Sequence, residues 1–252
     1  NGSILLNHKT DKWNFGAAYD NWYTTRTRRV WGDRINYELA DEYYLTQRRF
    51  DERLIFYQNA KATIDYEPNK NNSLSLEVLW AFPGEDNNET LKNTYETSEN
   101  DFTSKNQRHS NEIRRSNALE FSLNYAKHFS KPGKLLSVNV SNTFNNDNEE
   151  TDINTQPLTE QDNPLGNASM QRTHVYQKTD LANMSIDYVQ PLAKRGTIEM
   201  GYKGIIRYLN SDFERSNQVN GDFIIDPLNS GIFDFHEQIH AVYSQYTGWS
   251  GE

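Results

Sequence analysis

The 252 residues contain no cysteine, which excludes a disulfide framework and any thiolate metal site. No apolar run approaches the ~20 residues that a membrane helix needs. Positive charge is in deficit, with 26 Lys and Arg against 35 Asp and Glu and a net charge of -9, so nucleic acid is not an expected partner. Apolar residues make up only 35% of the chain, and mean hydropathy is -0.92. A soluble protein of this length normally carries more apolar residues. No secretory leader is visible at NGSILLNHK, which already reads as a strand. That opening and the closing QYTGWSGE both read as cut from something longer.

What is present is alternation. In LEFSLNYAKHFSKPGKLLSVNVSNTF, Leu119, Phe121, Leu123 and Tyr125 alternate with Glu120, Ser122 and Asn124. After the SKPGK turn, Leu136, Val138 and Val140 alternate with Ser137, Asn139 and Ser141. A period of two is a β-strand with one apolar and one polar face. Disorder would account for the low hydropathy, but 13% aromatics and clean alternation oppose it. A transmembrane β-barrel accounts for it better, because its lumen and loops are polar and only an outward band is apolar.

Strand-like segments recur throughout, about nine in all, with no convincing helix. They are expected at about 2–8, 12–31, 43–66, 73–82, up to 129, 135–145, up to 192, from 197 and 232–246. Leu74, Leu76, Val78, Trp80 and Phe82 share a face, as do Ala182, Met184, Ile186 and Tyr188, and Ile198, Met200, Tyr202, Ile206 and Tyr208. Connections alternate in kind. Short turns are expected at 10–12, 67–72, 130–134 and 192–197, and long polar loops at 32–42, 83–106, 147–170 and 216–231. Short turns at one end and long loops at the other are the habit of outer-membrane barrels. Several strands exceed the ~9–11 residues that span a bilayer, so they are expected to project on the long-loop side. Trp13, Tyr66, Phe129 and Tyr188 lie near the short turns. Trp22, Tyr23, Trp31, Tyr43, Tyr44, Trp80 and Phe82 lie toward the long loops, which suggests two interfacial girdles.

The order of NGSILLNHKTDKWNFGAAYDNWY, NAKATIDYEPNKNNSLSLEV, LEFSLNYAKHFSKPGKLLSVNVS, LANMSIDYVQPLAKRGTIEMGYKGIIRYLNSDF and FHEQIHAVYSQY resembles the barrel portion of TonB-dependent outer-membrane receptors, in the branch described as the outer-membrane β-barrel family. The hairpin pattern D-Y-x-x-P-L-x-K-x-G-x-x-E-x-G-Y-K is met by Asp187, Tyr188, Pro191, Leu192, Lys194, Gly196, Glu199, Gly201, Tyr202 and Lys203. The strand pattern E-Q-I-x-A-x-Y is met by Glu237, Gln238, Ile239, Ala241 and Tyr243. The resemblance implies a 22-stranded barrel closed by an N-terminal plug, taking up a scarce ligand with energy from the TonB complex. No plug or TonB box is seen here. The expectation is therefore an all-β, antiparallel transmembrane barrel segment over residues 1–252, part of a larger barrel in the outer membrane of a Gram-negative bacterium.

One motif points elsewhere. His236–His240 reads HEQIH, which on a helix would set two histidines on zinc with Glu237 as general base. On a strand His236 and His240 share a face and Glu237 takes the other, and that is the expected arrangement. The acidic segment DNEETDINTQPLTEQDN, with Asp147, Glu149, Glu150, Asp152, Glu160 and Asp162, reads as a solvated loop without EF-hand spacing. Arginines gather near the long loops: Arg26, Arg28 and Arg29; Arg48, Arg49 and Arg53; Arg114 and Arg115. Guanidinium groups suit phosphates and carboxylates. Outward members could meet lipopolysaccharide phosphates and inward members an anionic ligand, while salt bridges to Asp65, Glu77, Glu112 and Glu120 are the structural alternative.

The candidate ligand contacts at the lumen or rim are Arg26, Arg28, Arg48, Arg114, Trp31 and Trp80. No catalytic residue, metal ligand or cofactor is expected. Expected partners are outer-membrane lipid and lipopolysaccharide, the TonB complex acting through a plug, and a surface lipoprotein or other outer-membrane subunits. Two other readings stay open: a barrel that serves as scaffold or assembly partner and transports nothing, and a soluble β-sandwich binding module.

Overall fold

A computed structural model of the chain describes residues 1–38, 43–192 and 196–248. Its ten strands are β1 (Gly2–Lys9), β2 (Trp13–Ile35), β3 (Tyr44–Asn69), β4 (Asn72–Glu96), β5 (Phe102–His128), β6 (Leu135–Leu158), β7 (Ser169–Pro191), β8 (Thr197–Val219), β9 (Asp222–Ile225) and β10 (Gly231–Thr247). They form one antiparallel sheet in the order β1-β2-β3-β4-β5-β6-β7-β8-β10, with β9 paired to the far end of β8. No helix occurs among the described residues. The sheet is open, with β1 and β10 as its edges. Every step reverses direction, so these two edge strands run the same way.

The all-β antiparallel architecture agrees with the sequence reading. The 22-stranded total does not find support, since the sheet has ten strands and does not close. A sandwich is not formed either. Among the described residues no second layer covers the sheet, and the buried hydrophobic side chains are Leu45, Ile55 and Leu158.

Register sorts the side chains onto two faces. Leu76 pairs with Ile64 on β3 and Leu123 on β5, and Val140 and Met184 continue that row. Phe15, Ala17, Val78, Phe121, Val138, Ile186 and Met200 fall on the same face by alternation. These side chains are not packed into an interior. Phe121 is 37% and Met200 44% exposed.

The apolar band has a measurable height. On β2 it runs from Trp13 to Tyr23, ten residues on. At ~3.3 Å per residue and a tilt of ~40° that is about 25 Å, the thickness of the apolar belt of outer-membrane barrels. Trp13 stacks on Tyr66 with centroids 4.1 Å apart at the short-turn end. There also Phe129 meets Tyr188 edge-on, with the Lys134 ammonium 4.4 Å from the Phe129 centroid. The outer rim of the band carries Tyr23, Phe56, Trp80, Phe82, Phe144 and Tyr208 on the same face.

Two girdle expectations need correction. Trp22 occupies an even position of β2 and therefore the polar face, where it lies 5.6 Å from the Tyr57 ring. Trp31, Tyr43 and Tyr44 stand at the far end of the β2–β3 hairpin, well beyond the band.

The long-loop expectation also changes. Most of 83–106 and 147–170 is strand, and the connections shrink to 97–101 and 159–168. Asp147, Glu149, Glu150 and Asp152 lie within β6, not in a loop. Cross-strand polar bonds hold these ribbons. Asn93 bridges Gln47 and Asn106 at 2.9 and 3.0 Å, and Arg172 meets Asp152 at 2.8 Å. The 32–42 loop is shortened by β2 reaching Ile35, and its residues 39–42 lie outside the described residues. Within 216–231 the chain makes β9, turned by Asn220 and Gly221 at φ 52° and 98°. Two successive positive φ values define the hairpin turn that matches strand twist.

The short turns fall where expected. Thr10 N–H donates to Trp13 O at 2.7 Å, and Gly133 takes φ 76° in the β5–β6 turn. Leu192 N–H donates to Gly196 O at 2.7 Å, while 193–195, and with them Lys194 of the hairpin pattern, lie outside the described residues.

Candidate functional site

The polar face has two zones. Near the short turns it carries small hydroxyls and amides: Ser75, Ser122, Asn124, Ser137, Asn139 and Ser185. Ser75 donates to Asp65 at 2.6 Å and Asn139 to Ser185 at 3.2 Å. Higher up, a run of alternating charge crosses four strands. Arg28 Nε of β2 and Arg49 Nε of β3 reach Asp51 Oδ1 at 3.0 and 3.1 Å. Arg49 Nη2 then reaches Glu89 of β4 at 2.5 Å, and Arg108 of β5 meets the same carboxylate at 3.3 Å. The Asp51 side chain is only 4% exposed, because the arginine stems lie over it. Just below, Arg53 meets Glu85 at 2.7 Å and Arg114 meets Asp147 at 3.5 Å. Ser116 donates to the same Asp147 carboxylate.

The predicted contact residues divide between the faces. Arg26, Arg28 and Arg114 lie on the polar face. Trp31 and Arg48, directly opposite each other, lie on the apolar side of the sheet, beyond the band. Trp80 lies on that side too, in the band's outer rim, with its indole N–H donating to Asn117 at 2.8 Å. The six therefore do not form one site. The expected acidic partners were also the wrong ones. The arginines pair with Asp51, Glu85, Asp86, Glu89 and Asp147, while Glu77 pairs with Lys61 at 2.7 Å. Arg26 stands opposite Arg53 and has no partner among the described residues.

HEQIH is strand, within β10. His236 and His240 share the apolar side, and Glu237 faces Arg207 from the other at 3.5 Å. Four residues of strand separate the histidines by about 13 Å, too far for one ion. Among the described residues no group of three or more His, Cys, Asp or Glu could hold a metal. Instead Tyr202 leans over Gly204 to bring its hydroxyl 2.6 Å from His240 Nδ1.

Two hairpin-pattern residues and one from the strand pattern acquire a physical reason on the polar face. Gly201 sits between Asp187 of β7 and Tyr243 of β10. The Tyr243 ring lies across it, where a Cβ would stand 2.5 Å from Cε1, and its hydroxyl donates to Asp187. Only glycine leaves room for that crossing. No sequence spacing within one strand announces it, since the three residues meet only through register.

A sheet with a bilayer-high apolar band on one face, and hydroxyls, amides and ion pairs on the other, is the wall of a membrane β-barrel. Residues 127–251 match the model of the outer membrane protein beta-barrel family. This match and the two-faced wall place the protein in the outer membrane of a Gram-negative bacterium. No curated protein and no solved structure matches the chain. The matched segment runs from the end of β5 through β10 and contains Asp187, Gly201 and Tyr243. Strands β1–β4 carry the same alternation outside it.

Proposed function

We propose that the intact protein is an outer-membrane receptor that takes up an anionic ligand across this wall with energy from the TonB system. The observation that carries the reading is the guanidinium-rich polar face. Arg28, Arg49, Arg53, Arg108 and Arg114 share it with Asp51, Glu85, Glu89 and Asp147, and Arg26 has no partner among the described residues. A carboxylate or phosphate ligand could take Arg26 directly and compete with Asp51 for Arg28 and with Asp147 for Arg114, each held by a single contact. A plug would gate the lumen, and the TonB complex would act through it. The strands projecting past the bilayer would make the ligand-capturing vestibule.

The test is an uptake screen in the native bacterium. Iron chelates, vitamins, glycans and peptides are offered to wild-type cells and to a strain lacking the gene, with and without a protonophore. At least one anionic compound should enter only in wild-type, energised cells, and Arg26→Gln should slow its entry. If no compound distinguishes the strains, or if uptake ignores the protonophore, energised transport is wrong and a scaffold role takes its place.

A further inference from the structure

The projecting part of the sheet has an outer face as well, and its charge is uneven. On β6–β10 that face is acidic, with Glu150, Asp152, Asp180, Asp212, Glu214 and Asp234 against Arg172 and Lys178. On β2–β5 charge is near balance, with Arg29, Arg48, Lys92, Lys105 and Arg115 against Asp33, Glu52, Asp86 and Glu96. Trp31, Arg48 and Lys92 stand in one cross-strand row, and Arg29 and Phe50 form the row beside it. Asp162, from the β6–β7 connection, neutralises Lys92 and Lys105 at 3.0 and 2.8 Å. Arg48 has no partner among the described residues, and Arg29 rests only on the Phe50 ring, 5.4 Å from its centroid.

These free guanidiniums border hollows. One of about 200 Å³ lies among Arg29, Trp31, Arg48 and Phe50. A neighbouring hollow of about 320 Å³ is lined by Arg48, Lys92, Lys105 and Thr94 together with the carboxylates Glu96 and Asp162, and by Thr46, whose hydroxyl donates to Asp33 at 3.0 Å. Arg48 belongs to both. Trp31, 71% exposed, supplies a flat apolar surface beside them. Arginine with hydroxyl donors suits phosphate, and an exposed indole suits the C–H face of a sugar ring.

Height decides which phosphate. Trp31 lies eight residues beyond Tyr23, the outer rim of the apolar band. At about 2.5 Å per tilted residue that is roughly 20 Å above the acyl chains, in the carbohydrate layer of the outer leaflet. We infer that the outer face of β2–β4, centred on Arg48 with Arg29, Trp31 and Lys92, binds the phosphorylated core sugars of lipopolysaccharide. The inference needs only the outward orientation of this face, and it does not rest on the transport reading.

The intact protein, purified from outer membranes in detergent, is titrated with rough-type lipopolysaccharide, with the same material after phosphatase treatment, and with inorganic phosphate. Native lipopolysaccharide should bind, and dephosphorylation should weaken it. The double variant Arg48→Gln/Lys92→Gln should lose about tenfold or more, since hydrogen bonds to charged groups are the strong ones. Lys178→Gln, on the same face of the acidic half, should bind as the parent does. Far-ultraviolet circular dichroism should show unchanged strand content in both. Three results overturn the inference: equal binding of dephosphorylated material, equal loss in Lys178→Gln, or inorganic phosphate binding as tightly as lipopolysaccharide. A double variant that fails to fold is replaced by Trp31→Ala, whose unaltered affinity would also overturn it.

Discussion

Replacing Gly84 by alanine should loosen the outer rim of the apolar band. Gly84 lies on β4 between Phe56 of β3 and Arg115 of β5. The Phe56 ring covers it so closely that a Cβ would stand 2.1 Å from Cζ and 2.6 Å from Cε2. The ring must swing away, and two contacts go with it: the stack on Tyr23 at 5.7 Å and the Arg115 guanidinium 5.0 Å from its centroid. An aromatic pair contributes ~0.5–1.5 kcal/mol and an exposed cation–π contact ~0.5–1. Alanine regains ~0.5 kcal/mol of backbone entropy over glycine in a strand. The net loss is therefore about 0.5–2 kcal/mol. Urea unfolding of the intact protein in lipid vesicles, followed by tryptophan fluorescence, measures it. The decisive comparison is a double-mutant cycle. With Phe56 already cut to alanine, Gly84→Ala should be neutral or slightly stabilising. An equal penalty in both backgrounds, or none in the parent, would refute the account of this row.

The charge run on the polar face gives a second expectation. Asp51→Asn should destabilise by about 1–3 kcal/mol in the same assay; the 3–5 expected for a buried pair is discounted because Arg28 is 54% and Arg49 31% exposed. Unchanged unfolding would mean that the run contributes geometry and no stability. A third concerns pH. Hydrogen bonds from Lys105 and then Lys92 hold the exposed Asp162 carboxyl below its ordinary value of 3.8. A depressed carboxylate stabilises above its unfolded value and loses that contribution as pH falls through the folded one. Protection factors of the amides at 159–163, corrected for the intrinsic pH dependence of exchange, should therefore stay constant from neutral pH to about 4 and fall only below it, and a fall already near pH 5–6 would contradict the tether.

Much of this wall was legible from alternation alone. The shared face of Leu76, Val78, Phe121, Val138 and Met200 needed only a period of two, and so did the assignment of HEQIH to a strand. Parity also separates Arg26 and Arg28 from Trp31 on β2, though the six contact candidates were grouped without using it. Placing Arg48 needed the register Trp31–Arg48 across a hairpin. The identity of the ion pairs was hidden for the same reason. Arg49 meets Glu89 diagonally across β3 and β4, a relation that composition cannot reveal. The outer ribbons were read as loops because both of their faces are polar there, so no hydrophobic period marks the strand. Thr90 with His109, and Asn87 with Glu112, replace it with side-chain bonds that sequence does not display. The short β9 hairpin did carry its signal, in the Asn220-Gly221 pair.

The odd membership of the main strand path limits how such a wall can be sealed. Bringing β10 directly onto β1 would weld two strands of like polarity, a parallel seam in a sheet whose every other joint is antiparallel. A seamless antiparallel ring incorporating this wall must therefore contribute one, three or some other odd number of additional strands.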